Sequence, residues 1–357
     1  MISPDKLRVF MIPKNHEYIK RLKINLESLN IAVKILKPFH YSTFTNIVKL
    51  LLFRLKGYKI IHVHWLYVFP FSFVMRWFCY FCNATGIKII WEMHNIIPHH
   101  LYKNAARDSK WFYEKVDGII LHSKNDIARS RDLLGTDENK MHIIIPHGNF
   151  IESYENKISK KDARIKLRIP DDKKVILCFG FIRENRGYEY LIEATNNMLD
   201  TIVIIAGKVL EKKVYEKLLN ITEGRPDLKI FGKWIPDDEI QIYFNACDIV
   251  VLPYVNITTS GVIPLAYTFS RPVITTEIGG LKDIVNEKTG ILIPPENVGE
   301  LKKAIGKMLS MNYEGMGRYA YEYAKKEFSW EINAKNIKSF YELMLVHKMD
   351  GKMNLMQ

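Results

Sequence analysis

Short apolar, β-branched runs alternate along this chain with segments whose apolar residues recur at helical spacing. In the first part the strand-like runs are Leu7–Ile12, Ala32–Leu36, Lys59–Val63, Lys88–Glu92, Gly118–Leu121 and His142–Ile145. Between the first two, His16–Leu29 carries Ile19, Leu22, Leu26 and Leu29 on one helical stripe, and Phe44–Leu55 predicts a second helix. A polar, lysine-rich stretch, Glu152–Lys174, then interrupts the pattern. It reads as an inter-domain region holding at most a short helix, because few apolar residues there could anchor it. The alternation restarts with strands at Val175–Gly180, Thr201–Ala206, Leu228–Phe231, Ile249–Leu252, Pro272–Thr275 and Gly290–Ile293. Helices fit Tyr188–Met198, Lys212–Asn220, Asp237–Cys247, Gly261–Phe269 and Val298–Leu309, and Tyr313–Glu327 and Trp330–His347 close the chain. A β-α-β order of this kind predicts parallel sheets covered by helices on both faces.

The length of 357 residues exceeds one ordinary core, so two successive doubly wound α/β domains are expected. Charge divides the chain unevenly. The net charge of +13 falls almost wholly in residues 1–150, where lysine and arginine outnumber aspartate and glutamate by 11. That half is expected to face something anionic, a membrane surface, a phosphorylated lipid or nucleic acid, with plain solubility as the other reading. Leu66–Cys82 is rich in aromatics but is broken by Pro70 and carries Arg76, which makes it a poor spanning helix. An interfacial amphipathic helix and an internal core helix both fit it. The four cysteines read as reduced core thiols, since Cys79 and Cys82 have no second pair to complete a zinc site. The first residues lack a cleavable signal pattern, and a cytoplasmic location, free or at the inner membrane face, is expected.

Two loops are suited to phosphate. One is Phe179-Gly180-Phe-Ile-Arg183-Glu-Asn-Arg186-Gly187, where a strand ends and two arginines precede a helix. The other is formed by Thr258–Gly261 and Thr276–Gly280, small-residue loops around a helix and a short strand. Histidines concentrate in the first half. In His62-Val-His64 the two rings point to one face of a strand, read here as a polar strand end rather than a metal site.

Val175–Ala194, Ala246–Tyr254, Arg271–Asp283 and Thr289–Pro294 resemble the C-terminal domain of retaining glycosyltransferases of family 4, which have the GT-B fold. Trp91–His99, Ile145–Asn149 and Phe328–Trp330 are similar to other loops of that family. The resemblance implies two Rossmann-like domains facing a central cleft. Its N-terminal acceptor-binding domain would span 1–160, its nucleotide-sugar domain 161–330, and residues 331–357 would form a helix returning to the N-terminal domain. It departs in one respect: aligned on Arg271-Pro272-Val273, the two glutamates usual in the family fall at Ile257 and Leu265.

By this resemblance His94, Arg183 and Arg186 are the catalytic candidates. Donor-binding candidates are Gly180, Arg183, Arg186, Trp234, Thr258, Thr259, Ser260, Gly261, Glu277, Gly279 and Gly280. Asn15, His64, His99 and His147 are expected on the acceptor side. No cofactor and no metal are expected, and the donor would be a nucleoside diphosphate sugar of UDP or GDP type. The implied activity is sugar transfer with retention to a lipid-linked or polysaccharide acceptor, without nucleic acid. A non-catalytic nucleotide-sugar-binding partner and a nucleotide-sugar epimerase are the alternative readings.

Overall fold

The computed structural model describes residues 6–12, 17–37, 48–52, 54–66, 72–94, 96–97, 105–135, 140–222, 224–257 and 259–346. Asn15, His99 and Thr258, and most of the first half of the expected helix Phe44–Leu55, lie outside the described residues; residues 48–52 and 54–55 are helical. The chain divides into two compact units, Met1–Gly148 with Trp330–Gln357, and Asn149–Ser329.

Among the described residues the first unit holds six parallel strands: β1 (Arg8–Ile12), β2 (Ala32–Ile35), β3 (Ile60–Val63), β4 (Lys88–Glu92), β5 (Gly118–Leu121) and β6 (His142–Ile144). Their order is β2-β1-β3-β4-β5-β6, so the strand order reverses between β1 and β3. Alternating side chains serve two cores, as the pleat requires. Phe10, Ile12, Ile61, Val63, Ile89 and Trp91 join the core that includes Val74, Met75 and Phe78 of the helix Ser72–Thr85. Val9, Met11, Ile60, Ile90 and Ile120 face the other way. They meet Tyr18, Ile19, Leu22 and Leu26 of the helix Glu17–Ser28 and Trp330, Ile337, Phe340 and Tyr341 of the helix Trp330–Val346.

The second unit repeats the plan with β7 (Lys174–Phe179), β8 (Thr201–Ala206), β9 (Leu228–Phe231), β10 (Ile249–Leu252), β11 (Val273–Thr276) and β12 (Gly290–Ile293). The order is β12-β11-β10-β7-β8-β9, all pairs parallel, with the reversal between β7 and β10.

The lysine-rich stretch is a correction to the reading from sequence. It is part of the second unit, not a link between units. Its helix Lys160–Leu167 is capped by the Ser159 side chain and buries Ala163 and Leu167, while Phe150 and Ile169 enter the same core. A charged anchor replaces apolar mass there. Arg164 is buried and donates to Asp248 Oδ2 at 3.0 Å; Asp248 also accepts from Lys160 Nζ at 2.6 Å, the Val175 backbone at 2.7 Å and Tyr313 Oη at 3.1 Å. The unit accordingly starts at Asn149, whose backbone and side chain donate to Phe328 O and Ala324 O, both at 2.9 Å. The helix Ser72–Thr85 packs its inner face into the core, while Phe73, Trp77 and Tyr80 are exposed.

Candidate functional site

In the second unit the two candidate arginines lie where strand order reverses, the place at which open α/β sheets bind ligands. Gly180 follows β7 with φ of 120°, and a Cβ built there would lie 3.0 Å from a guanidinium nitrogen of Arg186. Gly187 is held tighter still: its φ is 69°, and a Cβ would meet the Pro253 carbonyl oxygen at 1.9 Å. Only glycine lets this turn lie against the end of β10. That packing aims Arg186 inward, 7% exposed, where its Nη1 donates to Tyr254 Oη at 2.8 Å. Tyr254 Oη in turn lies 2.8 Å from Ser260 Oγ, which accepts from the Val262 backbone at 3.3 Å. The guanidinium sits 5.0 Å from the Tyr254 ring centroid.

Arg186 Nε has no hydrogen-bond partner and, among the described residues, no carboxylate pairs with either Arg186 or Arg183. Burial, and the Arg186 charge beside it, depress the Arg183 guanidinium below its usual range. Two neighbouring, part-desolvated cations without a paired carboxylate are chemically suited to an anion, since an uncompensated buried charge is costly. Thr259 Oγ1 is likewise buried without a partner. Gly279 and Gly280 follow β11, beside β10, and Glu277 there is exposed. Gly261 and Trp234 are exposed as well. No hydrogen bond joins Trp234 or Glu277 to the arginines. In the sequence Tyr254 stands only at the end of the run Ala246–Tyr254; its position two residues past β10 is the signal that marks it.

In the first unit, the ends of β3, β4 and β5 deliver a buried polar cluster to the face covered by Tyr18, Trp330 and Tyr341. It contains His62, His64, Glu92, His94 and His122. All five share the strand parity of Ile60, Ile90 and Ile120, which explains why they converge. Glu92 Oε2 lies 3.1 Å from His62 Nε2 and 3.0 Å from His64 Nδ1, and Oε1 accepts from the Tyr18 hydroxyl. His94 has both ring nitrogens turned to other imidazoles, His64 Nδ1 at 3.3 Å and His122 Nε2 at 3.0 Å. Trp65 stacks on its face at 4.4 Å. Burial holds His94 well below its ordinary pKa, with the neighbouring imidazoles adding to the effect. Burial alone would raise Glu92, but the imidazoles of His64 and His94 more than offset it and keep the carboxyl well below its ordinary range. His147 is half-buried, its ring 4.8 Å from Tyr18 and 6.3 Å from His94. The structure thus brings His64, His94 and His147 together. Glu92, central to the cluster, was not singled out in the sequence, although it ends a strand between two histidine-bearing positions.

Residues 173–311 match the family of glycosyl transferases group 1. The match lies within the second unit and includes Arg183, Arg186, Tyr254 and Ser260. The uncharacterized glycosyltransferase MJ1607 of Methanocaldococcus jannaschii is 28% identical over 241 residues, covering 64% of this chain and 60% of that protein. The chain therefore spans about three fifths of that relative's length. Among solved structures, sucrose-phosphate synthase from Thermosynechococcus elongatus superposes with a TM-score of 0.77 at 17% identity, covering 95% of this chain and 99% of that one. Anabaena HepE in complex with UDP and glucose gives 0.73 at 16% identity, with 94% and 99% covered. The two parallel-sheet α/β domains are those of the GT-B fold.

Proposed function

We propose that this protein is a glycosyltransferase that takes a sugar from a nucleoside diphosphate donor bound to the second unit. The observation that carries this reading is Arg186: a buried guanidinium beside Gly180, with an unfilled Nε and no carboxylate partner. The group 1 family match over the same residues supports it, and the likeness to a protein crystallised with UDP favours UDP over GDP. Arg183 and Arg186 would grip the diphosphate, with Thr259 Oγ1, Gly279 and Gly280 completing the contact. Negative charge grows on the β-phosphate as the glycosidic bond breaks, so fixed guanidinium charge stabilises the transition state more than the ground state.

In the retaining reaction proposed here, the bond from the anomeric carbon to the β-phosphate oxygen breaks and that oxygen keeps the electron pair. It then takes the proton of the acceptor hydroxyl, whose oxygen bonds the same face of the anomeric carbon. The acceptor is taken by the basic first unit, and a lipid-linked or polysaccharide glycan fits its charge. Phe73, Trp77 and Tyr80, exposed on one helix, would rest on an anionic membrane surface. No helix among the described residues is long and apolar enough to cross a membrane.

A second reading rests on Ile257 and Leu265, buried in the apolar core where the family's carboxylates are expected. They favour a nucleotide-sugar-binding partner without transferase activity. Calorimetric titration with UDP, GDP and UDP-glucose, followed by a donor-hydrolysis assay, separates the two. Binding with turnover supports the enzyme, binding without turnover the partner, and no binding removes both.

A further inference from the structure

We propose that His62, His64 and Glu92 form a closed site for a first-row divalent metal ion, with zinc as its best fit. The inference is independent of the sugar-transfer reading, because it lies wholly in the first unit and concerns its architecture. His62 and His64 occupy one face of the β3 end, and Glu92 stands one residue beyond the β3–β4 pair Val63–Trp91. All three side chains have no exposed surface.

The decisive feature is proximity. His62 Nε2 lies 3.1 Å from Glu92 Oε2, and both residues are fully buried. His64 Nδ1 is 3.0 Å from that same oxygen. One ligand atom from each of the three residues lies within 4.8 Å of the others, close enough to share one ion. Atoms bound tetrahedrally to zinc at about 2.0–2.1 Å stand about 3.3–3.4 Å apart, so the two nitrogen–oxygen distances need to open by only a few tenths of an ångström. His94 Nε2, 3.3 Å from His64 Nδ1, is at hand as a fourth ligand.

The surroundings of His62 and Glu92 follow the pattern of metal centres, where the outer atom of a ligand is held by a second partner. His62 Nδ1 lies 2.7 Å from Tyr341 Oη, an arrangement that leaves Nε2 as the donor atom when Nδ1–H bonds the hydroxyl. Glu92 Oε1 is fixed by Tyr18. Imidazole and carboxylate donors suit zinc, and a fully enclosed set suits a structural rather than a catalytic ion.

The test uses the full chain, produced with zinc in the medium, desalted, and its metal content measured by plasma mass spectrometry. About one zinc per chain is expected, and cobalt exchanged into the chelated protein should give the intense visible bands of a tetrahedral site. His62→Ala/His64→Ala should lose the metal. Because that variant could also fail to fold, Tyr341→Phe is measured in parallel. It leaves the ligands in place and should weaken zinc binding about 10–100-fold with an unchanged circular dichroism spectrum. A folded chain that neither retains nor binds zinc overturns the proposal. So does zinc retained equally by the double histidine variant, or an affinity unmoved in Tyr341→Phe.

Discussion

The Arg186 guanidinium donates to the Tyr254 hydroxyl at 2.8 Å, joining the loop after β7 to the loop after β10 across the reversal of strand order. Tyrosine can orient a cation but does not neutralise it. The pair therefore leaves a positive charge buried and positioned, which is a poor arrangement for stability and a good one for holding phosphate.

That trade gives the first prediction. Arg186→Met should leave the unliganded protein as stable as the parent or more so, measured by thermal melting, because a buried uncompensated charge is removed. The same substitution should weaken UDP binding about 10–100-fold by calorimetry, the range for losing a charge-assisted contact. Arg183→Ala, less buried, should show the smaller loss. A destabilised apo protein with unchanged UDP affinity would mean that Arg186 is structural.

Gly187→Ala tests the turn that aims the arginine. The added methyl would fall 1.9 Å from the Pro253 carbonyl oxygen at a φ of 69°, so the loop must move. Backbone strain of this kind costs on the order of 1–3 kcal/mol. Denaturant unfolding should show that loss together with weaker UDP binding, whereas Gly306→Ala, with nothing within 4 Å, should show neither.

Asp248→Ala should cost about 3–5 kcal/mol, because Arg164 stays buried without its counterion and the Val175 amide loses its acceptor. Urea titration checks this. Asp248→Asn keeps the shape but not the charge, and a loss close to that of the alanine variant would assign the effect to the ion pair.

The cysteines offer a prediction about pH. All four are buried, and burial pushes the thiols of Cys79, Cys178 and Cys247 up to about 12. Only about one thiol in ten thousand is then ionised at pH 8, and the thiolate is the reactive form. A colorimetric disulfide reagent should find no accessible thiol in the native protein at pH 8, and four after denaturation. Rapid native labelling would contradict the burial.

Replacing Phe73, Trp77 and Tyr80 together by serine should reduce flotation with anionic vesicles about tenfold or more. All three are exposed, so thermal stability should change little. Unchanged flotation would exclude this face as the membrane contact.

Most of the fold is legible along the chain, because the central β-branched runs are buried on both faces of a parallel sheet and stand out as continuous apolar sequence. Lys88–Glu92, Gly118–Leu121, Thr201–Ala206 and Ile249–Leu252 are strands with the expected ends. The exception is the anchoring of the helix Lys160–Leu167 rather than the helix itself. Its anchoring comes from Arg164 bonded to Asp248, 84 positions away, and composition carries no trace of so distant a partner.

The same limit governs the sites. Local sequence determined that arginines and glycines would stand at the end of β7 and histidines at the ends of β3 and β4, since the alternation of side chains along a strand is a local rule. Only the tertiary structure decided that Tyr254 would meet Arg186, and that Glu92 would sit among four imidazoles with its outer oxygen held by Tyr18. Those contacts depend on which strands become neighbours, and neighbourhood is settled by the packing of the whole sheet rather than by any one segment.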